Sequence, residues 1–99
     1  MRENEFRSWL NRLGTMRVRP VEDSVSRCKR VERDMKLDLD EEYRSDKGKN
    51  LIKQLEYSAE DEENNRPAPT GIMIKGSKKK GLESLRSAIN NYMRFCQNE

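Results

Sequence analysis

The sequence predicts an all-α fold, a small four- or five-helix bundle, on three observations. Apolar residues recur in steps of three and four along the stretches 6–13, 21–35 and 82–96. No two runs with strand-like alternation stand ready to pair, so a sheet is not expected. At 99 residues, 32% of them hydrophobic, the chain can fill one modest core, removing about two-thirds of its unfolded surface from water. Residues 1–99 therefore read as a single helical domain.

Each element has its own local signal. Asn4 can cap a first helix that carries Phe6, Trp9, Leu10 and Leu13 on one face, and Gly14 is placed to end it. A loop from Thr15 to Pro20 leads to a second helix starting at Pro20 or Val21, with Val21, Val25, Cys28, Val31 and Met35 as its inward row. Leu37 and Leu39 plug the core as the chain turns, and residues 40–44 form one acidic turn. A third main helix is expected from about Asp46 to Ala59 with Leu51, Ile52 and Leu55 inward, although Gly48 weakens its start. Residues 60–71 hold two prolines and no periodic apolar residues, so they read as an exposed acidic loop. Ile72 to Ile74 form a short extended segment or an apolar plug. In the last helix Leu82, Leu85, Ile89, Tyr92, Met93 and Cys96 make one stripe that other helices must cover.

Charge separates the chain into regions. Charged residues make up 39% and mean hydropathy is −1.17, yet net charge is only +3 and the apolar residues are periodic, which favours a folded bundle over a disordered tail. Residues 14–36 hold seven basic and four acidic side chains, net +3, and residues 72–99 hold six and two, net +4. Residues 37–71 hold five and ten, net −5. Two basic helices thus flank an acidic middle, a polarity suited to an oriented partner. No run approaches the roughly 18 apolar residues of a membrane span, and the charged start has no apolar signal region behind it. A soluble, cytoplasmic chain with no membrane partner is expected, with Cys28 and Cys96 reduced on apolar stripes.

Much chemistry is excluded. There is no histidine, which removes the commonest general base and the commonest metal ligand together. Two distant cysteines cannot complete a usual zinc site, and no Walker-type or dinucleotide glycine motif is present. Acidic clusters at Asp38, Asp40, Glu41 and Glu42, and at Glu60, Asp61, Glu62 and Glu63, offer oxygens to a divalent cation, but such runs are usually solvated. The chain is read as a non-enzyme without metal or small-molecule cofactor.

What remains is recognition. Arg27, Lys29, Arg30 and Arg33 lie off the apolar stripe of the second helix, with Arg17 and Arg19 ahead of it, so a phosphate backbone could cross this edge. The competing reading is a solubilising face paired with Glu22, Asp23, Glu32 and Asp34. Lys78, Lys79 and Lys80 crowd the start of the last helix beside N–H groups that favour anions, which calls for an anionic partner. Trp9 and Tyr92 sit in apolar stripes and read as core, whereas Tyr43 and Tyr57 are open to either role.

Three segments together resemble the amino-terminal core-binding, or SAM-like, helical domain of tyrosine recombinases and phage integrases, and similar modules of restriction enzymes. They are Phe6-Arg-Ser-Trp-Leu10 with Gly14 after it, Ser24-Val-Ser-Arg-Cys-Lys-Arg-Val31, and Ser84-Leu-Arg-Ser-Ala-Ile-Asn-Asn-Tyr-Met-Arg-Phe95, about half of the chain. The resemblance implies DNA contact through Arg27, Arg30, Lys78, Lys80 and Arg86, joined by Lys79 of the same cluster. The recombinase catalytic domain has no counterpart in these residues, so no strand cleavage is implied. The acidic stretch 56–65 departs from the family and suggests a different expectation: a small inhibitor or adaptor of a phage or mobile element, docking on a nucleic-acid-handling complex through Glu60, Asp61, Glu62 and Glu63.

Overall fold

The computed structural model describes residues 1–14, 18–67, 72, 74 and 76–98, and its described residues contain helices and no strand. The helices are α1 (Glu3–Leu13), α2 (Val18–Met35), α3 (Leu39–Asp46), α4 (Lys49–Gln54), α5 (Ala59–Glu63) and α6 (Lys78–Gln97). The molecule measures 41 × 30 × 19 Å, and its thinnest dimension is that of about two helix layers. A small helical bundle is therefore what the amphipathic periods build.

α6 is the central element. It buries Leu82, Leu85, Ala88, Ile89, Tyr92, Met93, Phe95 and Cys96, and its most extensive contact is with α2. From α2, Val21, Val25, Cys28 and Val31 are at most 1% exposed, so the inward row is as predicted, with Met35 at its edge. Arg7–Glu22 and Lys29–Glu3 ion pairs set α1 antiparallel to α2. Phe6 packs edge-on against Tyr92 at 5.0 Å and against Phe95 at 5.6 Å, fastening α1 to α6.

Several element limits differ from expectation. α1 starts at Glu3 behind Arg2 with no side-chain cap. Asn4 lies inside it and accepts a hydrogen bond from Arg7 Nη1. Gly14 does end α1, at φ +67°. Leu13 is 42% exposed although Leu10, one turn earlier, is fully buried, so the expected apolar face of α1 is not covered at its last residue. α2 starts at Val18, placing Pro20 within the first turn, where its missing N–H costs no helical bond. Residues 15–17, Arg17 included, lie outside the described residues. Leu39 is fully buried as expected and Leu37 partly so.

The expected helix 46–59 is shorter than predicted, and within it only Lys49–Gln54 forms a helix of its own. The acidic turn continues as α3 to Asp46, and Lys47 and Gly48 adopt left-handed φ values of 60° and 77°. A Cβ on Gly48 would fall 2.7 Å from Met93 Cε, so the close approach to α6 and the left-handed φ both favour glycine there. α4 is consequently only Lys49–Gln54; Leu51 and Leu55 are buried and Ile52 half-buried. Tyr57 then enters the core, settling its role.

The acidic loop also contains structure. Ser58 and Asp61 form a reciprocal capping box that starts α5. Tyr57 Oη donates to Arg66 O at 2.5 Å, tying the end of this segment to the core. Residues 68–71 of the expected loop lie outside the described residues. Ile72 is buried and Ile74 packs on the core as a plug.

Candidate functional site

The basic residues of α2 divide by partner. Ser26, Lys29, Arg30 and Arg33 surround an open hollow of about 310 Å³ on its outer side. Lys29 Nζ reaches Glu3 at 3.1 Å, and Arg30 and Arg33 reach Asp34 at 3.5 and 3.0 Å. Hydrogen bonding from Arg33 holds the Asp34 carboxyl below its usual range against desolvation, with Arg30 adding to the same direction. The solubilising-pair expectation thus holds for Asp34, whereas Glu22 pairs with Arg7 and Glu32 with the Met1 ammonium. Arg27 is half-buried and has no carboxylate partner among the described residues.

The lysine cluster differs from expectation. The start of α6 already has an internal anion: Ser77 Oγ accepts from Lys80 N and donates to Glu62 Oε1 at 2.5 Å. A carboxylate of the acidic segment thus lies where the helix end favours negative charge. Lys78 Nζ donates to Arg66 O at 3.1 Å and Lys79 pairs with Glu83 at 3.0 Å, leaving Lys80 exposed. An external anion is therefore not needed to hold this end. The two segments assigned to competing functions, 60–63 and 78–80, are neighbours in the fold.

Arg86 is the oddest of the predicted contacts. Its Nε is buried with no hydrogen-bond acceptor, the one such side-chain atom among the described residues. Of the predicted acidic site, Asp61 is committed to Ser58 and Arg66, and Glu62 to Ser77. Glu60 and Glu63 are exposed.

A polar cluster that sequence reasoning missed links three elements. Tyr92, 0% exposed, accepts from Arg2 N at 2.9 Å and donates to Asp40 Oδ1 at 2.7 Å. Arg2 binds the same oxygen through Nη2 at 3.1 Å. Burial pushes the Asp40 carboxyl up, but Tyr92 and Arg2 outweigh it and hold the group below its ordinary value. Desolvation also raises the Cys96 thiol beside it, and pushes Cys28 up to about 12. Both cysteines are free, buried and poor nucleophiles. No group of three or more Cys, Asp or Glu side chains among the described residues could hold a metal ion.

Comparison with protein-family models, curated proteins and solved structures finds no match to this chain. No helix among the described residues is long and apolar enough to cross a membrane.

Proposed function

We propose that this chain is a non-enzymatic DNA-binding module that grips the phosphate backbone with α2 and α6. The observation that carries the reading is the convergence of Lys29, Arg30 and Arg33 around one uncovered hollow on α2. Guanidinium and ammonium groups at such spacing can exchange an exposed carboxylate for a phosphate and release counterions. Arg27 on α2, and Lys80 and Arg86 on α6, which packs against α2, are the further cations this reading assigns to the phosphate backbone. The resemblance to core-binding domains points to the same partner. Lys78 donates to Arg66 O and Lys79 pairs with Glu83, so both would have to make the same exchange as the α2 cations.

The adaptor reading rests on less. Two of its four carboxylates already serve the fold, and only Glu60 and Glu63 stand out to solvent. Reversing those two charges would test it through loss of any protein capture.

The decisive experiment is a duplex-DNA titration at about 50 and 200 mM salt. Replacing Lys29, Arg30 and Arg33 with alanine should lower the log–log salt slope by about 0.9 for each phosphate that is no longer neutralised. Absence of binding at the lower salt, or an unchanged slope in the variant, would overturn the proposal.

A further inference from the structure

The apolar stripe of α1 predicts Trp9 in the core, and the structure instead leaves it half-buried on the wall of an open groove of about 360 Å³ between α1 and the end of α6. That volume lies within the range of small-ligand clefts, about 300–1,000 Å³. Two rings support the indole: Phe6 stacks with it at 6.4 Å and 20°, and Phe95 leans on it at 5.8 Å and 57°. The indole thereby presents a flat surface backed by two rings.

The rim is polar and its hydrogen-bonding capacity is only partly used. Asn4 spends its oxygen on Arg7, which leaves its amide N–H groups for a ligand. Asn98 spends its Nδ2 on Arg94 O at 2.7 Å, which leaves its oxygen as an acceptor. Arg12, also on the rim, has no ion pair among the described residues. Glu5 is the one acidic residue of the lining, and it is drawn toward Arg2 at 3.6 Å.

We infer that this groove takes an unpaired nucleobase of a single-stranded nucleic acid, stacked on Trp9, edged by Asn4 and Asn98, with an adjoining phosphate on Arg12. Every base has a π-face, so an aromatic platform accepts it. A base edge carries donors and acceptors side by side, matching the spare amide donor and spare amide acceptor. An amphipathic peptide helix would instead want an apolar rim with several pockets along it. The site is separate from the α2 hollow and does not depend on backbone binding there.

Trp9 is the single tryptophan of the chain, so its fluorescence reports on this groove alone. A short single-stranded oligonucleotide should quench it saturably, and the matching blunt duplex should not. Arg12→Ala and Asn98→Ala change exposed side chains and keep the reporter. The first should lower the salt slope by about 0.7, and both should weaken the quench. Trp9→Leu, followed by anisotropy of a labelled single strand, should weaken binding about 5- to 150-fold. Circular dichroism would confirm that each variant is folded.

No quench by the single strand, with duplex still bound on the basic face, would overturn this inference and leave the backbone reading standing. Quench without any duplex binding would do the reverse. Equal quench by duplex, or quench by an acidic leucine-containing peptide in place of the oligonucleotide, would also overturn it.

Discussion

Replacing Tyr92 with phenylalanine removes a single oxygen from the middle of the fold. The ring keeps its contacts with Phe6 and with Phe95, 5.4 Å away, so the packing loss is small. The hydroxyl, however, donates to a carboxylate and accepts from a backbone N–H. A hydrogen bond to a charged group contributes about 1.5–3 kcal/mol, and a stranded N–H adds to the loss. Asp40 keeps Arg2 as a partner, so the expected cost is about 2–3 kcal/mol, a large share of the ~5–15 kcal/mol that holds a domain folded. For a domain this size that lowers Tm by roughly 10–20 °C.

Urea unfolding at pH 7 measures the cost, and Asp40→Asn completes a double-mutant cycle whose coupling should exceed about 1 kcal/mol. Asp40 has a depressed carboxyl, so its contribution is present above the unfolded value of about 3.9 and is lost as pH falls through the folded one. The Tyr92→Phe deficit should therefore narrow below about pH 4. A loss under about 1 kcal/mol at pH 7, or a deficit independent of pH, would refute the reasoning.

Other perturbations test other links. Ser77→Ala removes the α6 cap and the seat of Glu62, and should cost about 1 kcal/mol while raising amide exchange in residues 59–63. Gly48→Ala meets both a left-handed φ and Met93, and should destabilise by about 1–3 kcal/mol in thermal unfolding. Arg86→Met replaces an orphaned buried Nε with an apolar chain, and should raise stability by about 1 kcal/mol even as it removes one candidate DNA contact. Cys28 should resist alkylation in the native protein and react only on unfolding, as mass spectrometry would show.

Helix class, the inward rows of α2 and α6 and the stop at Gly14 were legible because each depends on neighbours three or four residues away. The break between α3 and α4 was not. Gly48 marked a weak point, but its close approach to Met93, far along the chain, exists only in the folded protein. The capping box was written in the sequence as Ser58 and Asp61, and was masked by the acidic run around it. At the candidate site the cations of α2 could be read as an outward face, whereas the carboxylate that meets each one depended on the fold.

For α2 and α6, residue order alone therefore determines that the segment coils and which face turns inward, since amphipathic periodicity is local. Tertiary packing decides which polar groups meet. Asp40 and Tyr92 are 52 residues apart and Arg2 and Tyr92 90 apart, yet they share one network. Glu62 lies on the helix end that three lysines, read in sequence, reserve for an outside anion. Hydrogen bonds and ion pairs act over a few ångströms in space, so their partners exist only once the helices have docked. Trp9 makes the same point, because its periodic position places it inward and the end of α6 covers only part of the ring.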